Sequence, residues 1–201
     1  MTDLFIIKND KMLINWEKVF SIDEFKILKT TPQNPKWHFE NFVAIHTMYA
    51  VNYALEIFGN HWDNYLNRIM VLSALFHDIG KGETTIFNKN KNSWSSPNHA
   101  QIGEQITRQM LSFWKYPPTI IEQVCFFVKY HMRILELYDS DSIIDEIKTI
   151  ANERKDGICT IENLIKLKQC DCLASVMLEE DGWREKLEHI KTIAIQEKCL
   201  N

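Results

Sequence analysis

Residues that break a helix are scarce in this chain, and their positions do most to limit what it can fold into. There are 5 prolines and 6 glycines among 201 residues, and they fall mostly between long segments whose apolar residues recur every three or four positions. A period near 3.6 with rare breakers marks amphipathic helices and predicts an all-α fold. Helices are predicted over about Asn41–Phe58, with Gly59 as the stop, and over Trp62–Phe76, Asn98–Trp114, Pro117–Tyr130, Asp141–Ala151, Thr160–Leu178 and Gly182–Glu197. Pro117 and Pro118 suit a helix first turn. An opening segment carrying Trp16, Val19, Phe20, Phe25 and Leu28 ends at the turn "TTPQNPK", Thr30–Lys36. The polar stretch Lys81–Pro97 is predicted to be the longest irregular connection, and long loops are often functional. No internal repeat or low-complexity tract interrupts the pattern.

Length and composition then narrow the class. A chain of 201 residues suits one domain with its own core and is short for two. A formal net charge of -4 argues against general coating of nucleic acid, although a local basic pocket is compatible with it. Residues Met1–Met12 alternate short apolar runs with Asp and Lys, unlike a secretory signal, and no apolar run approaches the roughly 20 residues needed to span a bilayer. The 5 cysteines form no CxxC pair and are expected to be reduced thiols. The expectation is a cytoplasmic protein that does not enter membranes; the oligomeric state stays open.

The chemistry lies where polar residues interrupt apolar helix faces. Phe42, Ile45, Tyr49, Ala50, Tyr53 and Ile57 are predicted to form the buried face of the first long helix, with His46 inside it. Leu66, Ile69, Met70 and Ser73 lead to His77 at the end of the next, and Asp78 follows directly. His99 begins the row Ile102, Gly103, Ile106 and Met110. Ile120, Val124, Phe127 and Val128 lead to His131, and Leu164, Leu167, Ala174 and Leu178 bracket Asp171. Several helices thus each aim an imidazole or carboxylate into the core. One such histidine is ordinarily a hydrogen-bonded core residue. A buried carboxylate, however, costs several kcal/mol unless it is paired or binds a cation. Five independent penalties would exceed a typical net stability of about 5–15 kcal/mol, and one or two shared cations remove most of them at once. His61 and His189 lack such placement and read as surface or capping residues.

With these residues in view, the chain resembles the HD-domain metal-dependent phosphohydrolase superfamily, whose signature is a His, a later His-Asp doublet and a distant Asp. Here those are His46, His77-Asp78 in "LFHDIGKG", and Asp171. The context is closest to the HD region of bacterial tRNA nucleotidyltransferases and related stand-alone hydrolases, with "HFE" at His38–Glu40, "HT" at His46-Thr47, "NHAQIG" around His99 and "HM" at His131-Met132. The resemblance covers about residues 33–175. It implies a single helical HD domain, with the N-terminal segment and the C-terminal helix packed on it and the metal site between core helices. It also implies a first metal held by His46, His77, Asp78 and Asp171, and a second completed by His99 and His131 with Asp78 bridging. Imidazole with carboxylate suits Mn, Fe, Co, Ni or Zn better than calcium, with Mg a further candidate.

Lys81, three residues past the doublet, is expected to serve catalysis by reaching the phosphate. Arg133, His99 and His131 are further candidates for substrate contact. His38 and Glu40 either support the ligands by hydrogen bonds or cap the helix near Asn41. Trp94 either stacks on a base or anchors its loop. The implied activity is a hydrolase of phosphomonoesters or cyclic phosphodiesters, acting on a nucleotide or RNA-end phosphate through metal-activated hydroxide. A di-iron oxygenase of the same superfamily uses the same ligand types and is the alternative. A non-catalytic sensing module, which often loses ligands, ranks last because this chain keeps all of them.

Overall fold

In the computed structural model the described residues are 4–154, 157–175 and 182–199. The chain opens with a hairpin, β1 (Phe5–Lys8) and β2 (Lys11–Ile14). Its two-residue turn, Asn9-Asp10, has positive φ at both positions, 51° and 60°. That suits the tight hairpin turn whose twist matches paired strands. Short helices α1 (Trp16–Val19) and α2 (Asp23–Lys26) follow and bury Val19 and Phe25.

The body is helical, as the breaker pattern predicts: α3 (Val43–Ile57), α4 (Tyr65–Phe76), α6 (His99–Phe113), α7 (Pro118–Tyr130), α9 (Ile143–Glu153), α10 (Ile161–Ala174) and α11 (Trp183–Gln196), with short α5 (Lys81–Thr84) and α8 (Arg133–Glu136) between them. Local chemistry sets their ends. Asn64 accepts from the Asn67 amide to start α4, and Thr160 accepts from the Asn163 amide to start α10. Gly59, at φ +93°, follows the last turn of α3. The predicted extension of α10 to Leu178 falls partly outside the described residues.

Helix α4 is the centre of the core. Every residue from Ile69 to Phe76 is buried, and the helix packs against α3, α7 and α10. No described helix is long and apolar enough to cross a membrane.

Two expectations change. The buried face of α3 is Val43, Ala44, His46, Thr47, Ala50, Val51 and Ala54, whereas Phe42, Ile45, Tyr49 and Ile57 are exposed. Bulk misleads here: α3 packs closely on α10 and α4 through alanines, valines and a threonine, and the larger residues lie outside that contact. The stretch 81–97 is likewise structured rather than irregular. It forms α5 and then a second hairpin, β3 (Ile86–Asn88) and β4 (Ser93–Ser95). Trp94 packs edge-on against Phe87, 5.0 Å between ring centroids, so it anchors its own hairpin.

Candidate metal centre

The candidate ligands come from five separate pieces of chain. His46 lies in the first turn of α3, and His77 ends α4 with Asp78 in the turn after it. His99 begins α6, His131 ends α7, and Asp171 sits in the last turns of α10. All six are buried.

Their rings are set by their own backbone. Nδ1 of His77 donates to the Ala74 carbonyl (2.7 Å), Nδ1 of His131 to the Val128 carbonyl (2.7 Å), and Nδ1 of His99 to the Ser96 carbonyl (2.8 Å). A carbonyl only accepts, so Nδ1 carries a proton, and Nε2 is the atom whose lone pair each ring can offer to an ion. Those lone pairs converge. His99 Nε2 and His131 Nε2 are 3.3 Å apart, and they face Asp78 Oδ1 at 3.3 and 3.6 Å. His77 Nε2 faces Asp78 Oδ2 at 3.3 Å and Asp171 Oδ1 at 3.7 Å, and has no hydrogen-bond partner.

His46 completes this second group. Its Nε2 lies 2.9 Å from Asp171 Oδ1 and 3.6 Å from Asp78 Oδ2. Its Nδ1 lies 2.9 Å from Glu40 Oε1, off the line of a good hydrogen bond. Acceptors turned on acceptors in a buried space are unfavourable without a cation between them. The arrangement therefore fits a metal, and the donor atoms form two sets, His46–His77–Asp171 and Asp78–His99–His131.

The electrostatics agree. Burial opposes ionisation of Asp78, but Lys81 and His77 hold its carboxyl well below the usual range. Burial likewise opposes ionisation of Asp171, and Lys168 and His46 hold it low. Burial pushes His131 down to about 4, so it is neutral and able to ligate. His46 differs: burial disfavours its charge, but Asp171 and Glu40 on either side raise it to about 9. Without a metal a proton occupies that ring, and a metal would take its place.

Around the donors lies a supporting layer. His38 Nδ1 bonds Glu40 Oε1 at 2.6 Å, and Gln33 donates to the same oxygen at 3.2 Å. Burial disfavours a charged Glu40, yet its contacts with His38 and His46 bring it down to about 2. The N-cap residue of α3 is Phe42, with no side-chain cap, so of the two roles open to Glu40 the geometry gives contact with His46. Lys81 Nζ lies 2.7 Å from Asp78 Oδ2 and donates to Gln33 Oε1 at 3.0 Å.

Arg133 is placed elsewhere. Its guanidinium bonds Glu146 (Nε to Oε2, 2.8 Å) and Glu136 (3.2 Å), and it is absent from the cleft wall. These nearby carboxylates, on α9 and on its own short helix, draw it away, which corrects the expectation that it reaches a substrate phosphate. His61 pairs with Asp10 on the surface, and His189 packs against Tyr138.

The centre opens into a cleft of about 400 Å³ walled by Trp37, His38, Lys81, Lys168, Trp183 and Lys186 among others. Sequence reasoning missed Lys168, whose Nζ lies 2.6 Å from Asp171 Oδ2. Its signal was available: it precedes Asp171 by three residues and so shares its helix face. Trp37, Trp183 and Lys186 carried no such signal, because they reach the cleft only through the tertiary fold, and Gln33 likewise meets Lys81 only there.

Comparison with known proteins follows the same lines. Over 115 residues the chain is 30% identical to the CC-adding tRNA nucleotidyltransferase of Thermus thermophilus, a match covering 56% of this chain and 24% of that protein. The chain thus spans about a quarter of that relative's length. The family model described as HD domain matches residues 43–175, more than half of the sequence and every helix that supplies a donor atom, and on that ground the chain belongs to the HD domain family.

Proposed function

We propose that the protein is a metal-dependent phosphohydrolase that cleaves a phosphomonoester or cyclic phosphodiester of a nucleotide or RNA end. The observation that carries this is the division of Asp78. Its Oδ2 faces His46 and His77, whereas its Oδ1 faces His99 and His131. A carboxylate shared in this way suits two neighbouring cations, with His46, His77 and Asp171 holding one and His99 and His131 the other. Divalent ions of the Mn, Fe, Co, Ni or Zn type, or Mg, would supply Lewis acidity toward phosphoryl oxygens and make water acidic enough to attack near neutral pH.

The protein's own groups do the rest. Lys81 and Lys168 border the cleft and favour a phosphate, because ammonium groups add to its attraction but do nothing for molecular oxygen. Glu40 turns the His46 ring toward the centre, and His38 fixes Glu40. Trp37 and Trp183 supply aromatic surface suited to a base. The likeness to a tRNA nucleotidyltransferase supports a nucleotide-type substrate. The test combines metal analysis of protein purified without chelator with a panel of nucleoside monophosphates and 2',3'-cyclic nucleotides. Release of phosphate or ring opening that needs the metal supports the proposal. Oxygen uptake by iron-loaded protein, with no ester cleaved, would replace it with the oxygenase.

A further inference from the structure

Lys168 is a buried lysine with an unusual set of neighbours. Its Nζ meets Asp171 Oδ2 at 2.6 Å and Met132 Sδ at 3.6 Å, and its side chain borders the cleft. A thioether is a weak acceptor, so the carboxylate is the main partner. Asp171 is thereby held by one hand: Oδ2 is taken by the ammonium, and Oδ1 is turned to His46 Nε2 at 2.9 Å and His77 Nε2 at 3.7 Å.

Lys81 contacts the other aspartate differently, at the oxygen that also faces His46 and His77 rather than at one turned away from them. It follows Asp78 by three residues and meets its Oδ2 at 2.7 Å, but it is also held by Gln33. At the centre itself the two aspartates and two lysines cancel in charge.

We infer that Lys168 is a positioning residue that keeps Asp171 a one-oxygen ligand and leaves the charge of a bound cation available to an incoming phosphate group. The phosphate part rests on the phosphohydrolase reading, and the part that concerns Asp171 on the contacts of its two oxygens. It has an unusual sign. An ammonium beside a metal ligand competes with the metal for the carboxylate and repels the ion, so removing it should strengthen metal binding. The same removal lowers the positive charge facing the cleft and should weaken anion binding. A lysine that merely supported the fold would weaken both.

The experiment compares Lys168→Met, Lys168→Gln and Lys168→Arg with the wild type in two titrations. Manganese or zinc affinity is measured against a competing chelator, and inorganic phosphate affinity is measured on the metal-loaded protein by calorimetry. Lys168→Met should bind the metal at least about threefold more tightly and phosphate at least about tenfold more weakly, with Lys168→Arg close to wild type in both. Lys168→Gln keeps a hydrogen-bond donor toward Asp171 without charge. It should follow the methionine variant and provides the result if that variant folds poorly. Metal affinity that falls in the uncharged variants, or stays unchanged, overturns the inference. If phosphate binds no form of the protein and no ester is cleaved, the phosphohydrolase reading fails, and the metal titration still decides the role of Lys168.

Discussion

Gly80 offers the sharpest test of how the centre is assembled. It follows the His77-Asp78 turn and lies directly against the start of α6. A Cβ added there would sit 2.2 Å from the His99 carbonyl oxygen, 2.6 Å from the Gly103 amide nitrogen and 3.0 Å from the Gly103 Cα. Ordinary contact begins near 3.4 Å, so α6 must retreat by about 1 Å, and no side chain can rotate aside because every obstacle is backbone. Overpacking of this kind costs about 1–3 kcal/mol. The upper end applies here, reduced by up to about 1 kcal/mol because alanine narrows the unfolded ensemble and tolerates φ -66°. A net loss near 2 kcal/mol corresponds to about 4–8 °C in Tm for a chain of this size.

The displaced turn also carries His99, whose Nε2 stands 3.3 Å from both Asp78 Oδ1 and His131 Nε2. Gly80→Ala should therefore lose the ion of the Asp78–His99–His131 set while keeping the other. Gly103→Ala is the control. Its Cβ would meet Gly80 N at 3.3 Å and Val128 Cγ1 at 3.4 Å, an adjustment of a few tenths of an ångström that better helix propensity offsets. Calorimetric melting and metal stoichiometry on both variants decide the matter. A Gly80→Ala protein with wild-type Tm and full metal content would refute the argument.

Other outcomes follow from the centre. Chelation should lower Tm by several degrees, read by scanning calorimetry before and after metal is restored, since the ion binds only the folded arrangement. His99→Ala should keep one ion per chain and reduce ester hydrolysis at least about a hundredfold, measured by metal analysis and steady-state kinetics on the same sample. Metal binding should release a proton from His46: its pKa of about 9 in the metal-free protein means the proton is bound below that pH. Affinity should then rise about tenfold per pH unit between pH 6 and 8 and level off above 9, which titration calorimetry in buffers of different ionisation enthalpy would show. Arg133→Ala should leave KM within about twofold of wild type, because its guanidinium is held by Glu146 and Glu136 outside the cleft.

Much of this was legible from residue order. The helices were visible because helix breakers are rare, and the six candidate ligands that the fold brings together because each sits within, at the end of, or next to an apolar row. The phase of α3 was misread for an instructive reason. Hydrophobic bulk at Phe42, Ile45 and Tyr49 suggested a core face, but closeness of approach to α10 and α4 selects Ala44, Ala50 and Ala54 instead. The hairpin at 86–95 was hidden by its polar composition, its pairing resting on short strands and one Phe87–Trp94 contact. Arg133 was misplaced because a sequence shows charge but not which carboxylate arrives first. Gln33 meets Lys81 only through the fold, whereas Lys168 shares a helix face with Asp171 and could have been read from its spacing.

The histidines whose Nδ1 atoms bond carbonyls three residues back have a consequence for how such a protein drifts over generations. Their tautomers are inherited from helix ends, not negotiated with neighbouring side chains, so the walls of the cleft are free to vary without resetting His77, His99 or His131. His46 is the exception, because a side chain, Glu40, stands at its Nδ1. One side chain thus bears on the orientation of the His46 ring, while the other three rings are oriented by their own backbone. Substitutions in the cleft walls should therefore leave these three rings oriented as they are, whereas substitution of Glu40 should disturb His46 alone.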